Sequence, residues 1–164
     1  MWPVMPARIS QAFADPGSYA SRADVHGPAG HHTGIDFGSS WPVPIAGRRV
    51  RSVMRGTVVI SGYNETMGNW VGVYNAERNL LVTYWHMAKR SVKVGDYVFA
   101  FTKLGVVGST GNSTAAHLHV QVNYGRDFDY AGHVDPNVAF GVTSRMAARR
   151  ETVNRALRNR RKKA

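Results

Sequence analysis

Short runs of strand-forming residues, separated by glycine, dominate residues 34–124 and limit the folds that the chain can adopt. These runs are rich in β-branched and aromatic residues, which favour extended backbone. The spacers between them are too short and too poor in helix formers to carry the crossovers of a parallel sheet. We therefore predict a mostly β domain with a single antiparallel sheet, its strands at residues 35–38, 51–60, 69–74, 80–86, 97–101 and 117–124.

The segments between these runs have the composition of turns and loops. Residues 75–79 separate two strand-like runs and predict a hairpin loop, and glycine marks a further turn at residues 105–111. Residues 1–31 are rich in proline, glycine, alanine and serine and show little periodicity, so we expect them to be irregular.

Most of the positive charge lies at the C-terminal end. The chain has a net charge of +11, and residues 145–164 hold nine basic residues against one acidic residue, a local net charge of +8. That segment lacks glycine and proline and carries a thin apolar stripe at helical spacing. We predict a domain over residues 1–142 and a cationic helical tail over residues 143–164.

The sequence excludes several catalytic classes. It has no cysteine, which rules out disulfides, thiolate zinc sites and a cysteine nucleophile. It has neither an HExxH motif nor a GxSxG nucleophile elbow. Nothing approaches the roughly 20 apolar residues of a membrane span, and MWPVMPARIS lacks the apolar run of a secretory signal. A hydrolase built on this chain would need metal-activated water, with histidine handling the proton.

Two histidines stand at the start of the last strand-like run, in the motif His117-Leu118-His119. Side chains alternate along a strand, so His117 and His119 share one face, about 7 Å apart, while Leu118 and Val120 lie on the other. Two imidazoles placed in this way can address one metal ion and its water. An exposed polar strand face would give the same pattern, so a metal site is indicated only if another segment supplies further ligands.

A second cluster, His32-Thr33-Gly34-Ile35-Asp36, supplies such candidate ligands. A straight strand would hold His32 and Asp36 roughly 13 Å apart, so the chain must bend for both to bind one ion, and Gly34 permits the bend. Nitrogen and carboxylate ligands without thiolate suit a catalytic zinc ion. His32 and Asp36 are therefore candidate Zn²⁺ ligands, with either His117 or His119 as the third.

His86 lies near the end of the apolar run LLVTYWHM. Alternation predicts that it shares a face with Val82 and Tyr84, so that it reaches whatever this face covers. A lone histidine in such a strand is more often a hydrogen-bonded core residue. Its role therefore depends on its neighbours.

Taken in chain order, these motifs resemble those of the M23 (lysostaphin/LytM-type) zinc metallopeptidases. The resemblance rests on HTGIDF at residues 32–37, YWHM at 84–87 and GSTGNSTAAHLH at 108–119, with VKVGD at 92–96 and VDP at 134–136. It covers about residues 30–140 and implies an antiparallel sheet with a zinc ion on the floor of a groove.

The resemblance also implies a role for each residue of the site. His32, Asp36 and His119 match the family's zinc ligands, which decides the third ligand in favour of His119. His86 and His117 match its two catalytic histidines, which orient or deprotonate the water and stabilise the tetrahedral oxyanion.

The remaining polar residues near these motifs are weaker candidates. Asn112 is a candidate for substrate binding, although an asparagine at this place also forms turns. His26 stands in a loop that could border the site, and we expect His31 and His133 at the surface.

The sequence thus predicts a monomeric, zinc-dependent endopeptidase that hydrolyses peptide bonds in bacterial peptidoglycan. One alternative is a basic module that binds polyanions or nucleic acid, which the charge of +11 suggests. The body of the chain lacks the interleaved aromatic and basic residues of a stacking platform, so no specific nucleic acid is expected. The other alternative is a non-catalytic LytM-type regulator, but the chain retains every metal-site and catalytic position.

Location and specificity are further expectations. Without a secretory signal, we expect synthesis in the cytoplasm and action on the cell wall as a bacteriophage lysin, released through a holin or carried on the virion. The cationic tail is a candidate anchor for anionic lipids or wall polymers. Specificity for one peptide bond is expected to depend on loops 61–70 and 124–133.

Overall fold

The computed structural model of the protein describes residues 3–11, 32–129 and 132–139. Within these ranges the secondary structure consists of β1 (Arg8–Gln11), β2 (Ile35–Gly38), β3 (Arg49–Arg51), β4 (Gly56–Asn64), β5 (Gly68–Asn75), β6 (Leu80–Arg90), β7 (Tyr97–Val98), β8 (Lys103–Val107), β9 (Leu118–Tyr124), β10 (His133–Val134) and α1 (Pro136–Ala139). The predicted tail, the boundary before it, His26 and His31 lie outside the described residues. In the ranges described, no helix is long and apolar enough to cross a membrane.

The strands form one antiparallel sheet, as predicted. Its order is β1-β2-β9-β6-β5-β4-β7, while β10 pairs with β9, and β8 pairs with both β3 and β6. The predicted hairpin loop joins β5 to β6. In it the Asn75 side-chain oxygen accepts a hydrogen bond from the backbone N–H of Arg78 at 2.9 Å.

One face of the central strands forms the apolar core. Leu118, Val120 and Val122 of β9 point into it, as the predicted alternation requires, and Val82 and Tyr84 of β6 pack with them. Burial of a side chain of this size contributes about 1.5–3 kcal/mol. Since a slip of one residue would turn every side chain of β9 to the other face, the core fixes where the alternate, polar residues of β9 point.

Two predicted strands are shorter in the structure than the sequence indicates. The run 51–60 divides into β3 and β4, because the Ser52 N–H donates to the Thr102 carbonyl and the Ser52 hydroxyl donates to the Met54 carbonyl at 2.6 Å, which turns the chain. The run 97–101 ends as a strand at Val98, because Phe101 adopts a left-handed backbone with φ of 73°.

Three strands lie where none was predicted, namely β1, β8 and the two-residue β10, which pairs with β9. Residues 105–111 were expected to form a turn, but β8 occupies their first part because β3 and β6 both pair with it. Gly105 allows this close packing, since a Cβ there would collide with the Lys89 carbonyl. The N-terminal segment, expected to be irregular, contributes β1, which extends the sheet beyond β2.

Candidate metal centre and active site

Three side chains from β2, β9 and the residues just before β2 converge on one point. Asp36 and His119 are direct partners in the pairing of β2 with β9, which sets their side chains next to each other. His119 Nδ1 lies 2.9 Å from Asp36 Oδ1 and 3.1 Å from His32 Nε2, and His32 Nε2 lies 3.2 Å from Asp36 Oδ1. The structure therefore brings His119, rather than His117, together with His32 and Asp36.

Gly34 makes this convergence possible. The chain bends at Gly34, as the sequence predicts, and β2 begins at the next residue. A Cβ at Gly34 would collide with the Val120 carbonyl and would lie 2.7 Å from His119 Nε2. The glycine is therefore required because the backbone passes directly against the ring of His119.

The donor set fits a zinc ion. Four tetrahedral ligands at about 2.0–2.1 Å from zinc lie about 3.3 Å from one another, which is close to the separations of these three atoms. The set is two imidazole nitrogens and one carboxylate oxygen, all acceptors when unprotonated, and such a concentration of lone pairs favours a cation. Taking one ligand atom from each of the three residues, all the atoms lie within 4.8 Å of one another, so a single ion can contact all three side chains.

The electrostatics of the cluster favour the protonation states that a metal ion requires. Burial alone would raise the pKa of the Asp36 carboxyl, but hydrogen bonds with His119 and His32 outweigh it and lower that pKa below its usual range. Burial lowers the pKa of His119 to about 4, although the neighbouring Asp36 opposes this shift. At neutral pH Asp36 is therefore a carboxylate and His119 a neutral imidazole.

His86 does not lie on the face that alternation predicts. A β-bulge in β6 sets two residues, Trp85 and His86, against the single residue Trp70 on β5, and His86 at the bulge has a left-handed φ of 61°. Val82, Tyr84 and Met87 all stay in the core, whereas the His86 ring lies 4.5 Å from that of His117, between ring centroids. The prediction that His86 shares a face with Val82 and Tyr84 is wrong.

Trp85, on the face of β6 opposite Tyr84, also contacts the candidate metal site. Its indole stacks on the His119 ring, with centroids 4.1 Å apart and an interplanar angle of 27°. The indole N–H donates to the Thr83 hydroxyl at 2.9 Å, which holds the plane of the ring. Trp85 therefore restrains the ring of His119, and the sequence motif alone gave no indication of this contact.

Backbone carbonyls orient the other two histidines. His86 Nδ1 lies 2.9 Å from the Thr110 carbonyl, and His117 Nδ1 lies 2.8 Å from the Ala115 carbonyl. A carbonyl only accepts, so each Nδ1 carries a hydrogen, and in the neutral form of each ring Nε2 keeps its lone pair. Burial, with the charge of His117 second, lowers the pKa of His86 to about 4, so that ring is neutral at neutral pH. His117 Nε2 lies 3.8 Å from Asp36 Oδ2, at the edge of the cluster.

The two remaining candidates within the described residues are not part of the three-residue group. Asn112 is exposed, and its backbone N–H donates to the Thr66 carbonyl at 3.0 Å, so its role in substrate binding stays a prediction. His133 was expected at the surface but is half-buried in β10, paired with Asn123.

A row of buried polar side chains continues the metal cluster along β9. The Thr33 hydroxyl donates to Gln121 Oε1 at 2.7 Å, and Gln121 Nε2 donates to Asn123 Oδ1 at 3.0 Å. Asn123 Nδ2 in turn donates to the carbonyl of Asp129. The row links the segment that carries His32 to loop 124–129. The polar residues at every second position after His119 were the sequence signal for it.

Aromatic rings from β5, β6 and the loop after β9 stand beside the cluster. Phe128 contacts Trp85 and Trp70 edge to face, with centroids 5.8 and 5.3 Å apart. Trp85 stacks on His119, so these rings form a wall next to the candidate metal centre. Trp70 and Phe128 lie within the segments 61–70 and 124–133 that were predicted to be specificity loops, but Trp70 belongs to β5, because β4 runs to Asn64 and β5 begins at Gly68.

The sequence pattern of "Peptidase family M23" matches residues 30–136, which contain the whole cluster and both neighbouring histidines. The glycyl-glycine endopeptidase ALE-1 of Staphylococcus capitis is 40% identical over 93 residues, which are 56% of this chain and 24% of that protein. The peptidoglycan DD-endopeptidase ShyC of Vibrio cholerae is 34% identical over 98 residues, which are 59% of this chain and 21% of that protein. The chain thus spans a quarter or less of the length of these curated relatives.

Similarity to a solved structure extends over most of the fold. The catalytic domain of the antimicrobial peptidase lysostaphin from Staphylococcus simulans superposes with a TM-score of 0.65 at 31% sequence identity. The match covers 79% of this chain and 89% of that domain. The predicted lysostaphin-like fold is therefore confirmed.

Proposed function

Because the chain belongs to peptidase family M23, we propose that it is a zinc-dependent endopeptidase that hydrolyses peptide bonds of bacterial peptidoglycan. The observation that carries the proposal is the convergence of His32, Asp36 and His119 within 3.2 Å of one another, with His86 and His117 at the edge of the cluster. Relatives named as peptidoglycan or glycyl-glycine endopeptidases support the substrate class.

The metal would be held by His32 Nε2, Asp36 Oδ1 and His119 Nδ1. Zinc bound by three protein ligands supplies Lewis acidity and lowers the pKa of water to about 7. Asp36 contributes the one negative charge of the set, and the stacked indole of Trp85 keeps His119 in its orientation. These contacts prepare the site before the metal or the substrate arrives.

His86 and His117 would handle the proton. The carbonyls of Thr110 and Ala115 hold Nδ1–H of the two rings, so Nε2 is the atom that accepts a proton from the attacking water. A ring protonated in this way can then donate from Nε2 to the tetrahedral oxyanion or to the leaving amine. The left-handed backbone at His86 is what turns this ring out of the core and beside His117.

The peptide bond that is cut remains a choice between two classes. ALE-1 is named for glycyl-glycine bonds and ShyC for DD-bonds, and the chain is similar to both. Segments 61–70 and 124–133, which contain Trp70 and Phe128, are proposed to set the choice. Action as a bacteriophage lysin, the monomeric state and the role of the tail stay predictions.

The proposal is tested by incubating the full chain with purified peptidoglycan of two types, one cross-linked by glycine bridges and one by direct diaminopimelate linkages. New amino termini are counted, and the products are identified by mass spectrometry. We expect cleavage of one wall type, loss of cleavage with a chelator, and recovery with one equivalent of zinc. Asp36→Asn should bind less zinc and lose activity, because it removes the charged ligand.

A chain that is folded and loaded with zinc, yet releases no amino termini from either wall, would overturn the proposal. Cleavage that persists at full rate after complete removal of metal would overturn the zinc mechanism and leave the peptidase assignment standing.

A further inference from the structure

An exposed cluster of large apolar side chains lies at the edge of the sheet formed by β7. Tyr97, Phe99 and Phe101 are 57%, 66% and 55% exposed, and Val94 in the preceding turn is 59% exposed. We call these four residues the aromatic edge. The strand order puts β7 at the opposite end of the sheet from β2, so the aromatic edge is separate from the metal cluster.

The backbone holds these rings outward. Phe101 has a φ of 73°, a conformation that is rare for a bulky residue other than glycine. Its N–H donates to the Ser52 carbonyl at 2.8 Å. The Thr102 N–H donates to the Phe99 carbonyl, and the Phe99 N–H donates to the Thr102 hydroxyl, both at 3.1 Å. The turn is therefore fixed in a strained conformation, although the Phe101 ring gains little burial from it.

Basic residues lie on the segments next to the aromatic edge. Lys93 directly precedes Val94, and Arg55 directly precedes Gly56, which pairs with Val98 of β7. Arg51 of β3 pairs with Lys103 of β8, two residues after Phe101. Two carboxylates lie among these four basic residues, so the basic groups are in excess. The Glu77 carboxylate accepts from Arg55 at 2.7 Å, and the Asp96 carboxylate accepts from the Lys93 N–H at 2.9 Å.

Exposed apolar rings beside an excess of basic residues are complementary to an anionic lipid surface. Such a surface offers phosphate groups to the cations and an acyl boundary to rings that carry no polar atom, as in Phe99 and Phe101. A sugar polymer would need polar partners in the plane of the stacked rings, and a second copy of this surface would bring like charges together. We propose that the aromatic edge docks the protein on anionic bilayers.

The proposal is tested with the full chain and a tryptophan reporter. Phe99→Trp places a fluorophore in the aromatic edge, and Tyr124→Trp places one at another exposed aromatic position, 63% exposed, as matched control. Each variant is titrated with vesicles of phosphatidylglycerol and phosphatidylethanolamine that carry bromine on the acyl chains. The wild-type chain corrects for the native tryptophans. We expect a blue shift and quenching at least about threefold stronger for the reporter at position 99.

A second pair of variants measures the contribution of the edge to binding. Phe99→Ser with Phe101→Ser should weaken partition into these vesicles about tenfold. Tyr63→Ser with Tyr124→Ser, which removes two exposed rings elsewhere, should change it less than about twofold. Circular dichroism confirms that each variant is folded. Phosphatidylcholine vesicles should bind the wild type at least about tenfold more weakly than the anionic vesicles.

Equal quenching of the two reporters, with equal binding of the two double variants, would assign any lipid binding to another part of the chain and overturn the proposal. Binding to purified walls that depends on Phe99 and Phe101, without binding to vesicles, would also overturn it and identify a wall polymer as the partner. Neither result bears on the peptidase activity, which these assays do not measure.

Discussion

The two faces of β9 are both buried, but different forces hold them. The core face carries Leu118, Val120 and Val122, and the site face carries His119, Gln121 and Asn123. Apolar packing on the core face is non-directional, so it is sensitive to volume rather than to the identity of one partner. On the site face the Gln121 and Asn123 amides donate to defined acceptors, and loss of one group leaves another buried without a partner.

This difference explains why the core can fix the strand while the site face determines the chemistry. The core selects the register of β9, and that register sets His119 opposite Asp36. The site face then needs particular atoms at particular distances, because a lost hydrogen bond there costs about 1–3 kcal/mol. Four variant pairs test the comparison, beginning with the largest expected effect.

The first pair separates metal binding from proton transfer on the site face. We expect His117→Ala to reduce the rate of peptidoglycan hydrolysis about 10²- to 10⁴-fold while the protein keeps its zinc, because His117 is outside the three-residue cluster. Asp36→Ala should lose both the zinc and the activity. Zinc is measured by atomic absorption and hydrolysis by new amino termini. Equal loss of zinc in both variants would contradict the separation of roles.

The second pair tests the contact between Gly34 and the ring of His119. We expect Gly34→Ala to lower the free energy of unfolding by about 3 kcal/mol, because the new methyl group meets backbone and a ring that the cluster holds in place. Gly62→Ala is the matched control in β4, since the nearest atom to its Cβ is 3.6 Å away, and it should change stability by less than about 0.5 kcal/mol. Urea denaturation measures both. Equal values would mean that the backbone at Gly34 moves aside freely.

The third pair places the same new residue on opposite faces of β9. Gln121→Met removes the partner of the Thr33 hydroxyl and of Asn123 Oδ1, and we expect it to cost about 2 kcal/mol. Leu118→Met on the core face conserves volume and should cost about 1 kcal/mol or less. If urea denaturation gives the reverse order, the core face is the more demanding of the two.

Sequence reasoning succeeded where a local pattern decides the structure. The alternation in β9 predicted the opposite faces of His119 and Leu118, and the bend at Gly34 followed from the distance between His32 and Asp36. The choice between His117 and His119 as third member of the cluster stayed open at the level of the residues. It depends on the register of β9 against β2, which pairs residues more than 80 positions apart in the sequence.

Sequence reasoning failed where pairing with distant strands overrides the local pattern. The sequence predicts that His86 belongs to a regular strand. In the structure a bulge opposite β5 turns its side chain to the other face, and its N–H bonds to the Met67 carbonyl. The sequence predicts a turn at Gly105. In the structure this residue lies in β8, where the backbone passes close to β6. Both errors arise from contacts that no run of adjacent residues specifies.

The smallest expected effect concerns Tyr84, which brings one polar atom to the apolar face. Its hydroxyl accepts the N–H of Val53 at 2.9 Å, so Tyr84→Phe leaves that N–H without its acceptor. We expect this change to lower the free energy of unfolding by about 1 kcal/mol at pH 7. Tyr63→Phe, at a tyrosine that is 54% exposed, is the matched control and should change it by less than about 0.5 kcal/mol.

The Tyr84 hydroxyl also makes the stability of the wild type depend on pH in a way that the Tyr84→Phe variant cannot show. Burial raises the pKa of Tyr84 to about 12, above its usual value of 10, so the folded state keeps a proton that the unfolded state loses first. The stabilisation is complete below pH 10 and is lost as the pH rises towards 12. Between pH 9 and pH 11 the wild type should therefore lose about 1 kcal/mol more stability than Tyr84→Phe. If the two proteins lose the same free energy of unfolding between pH 9 and pH 11, the Tyr84 hydroxyl is in contact with solvent. The apolar face would then exclude water less completely than the site face.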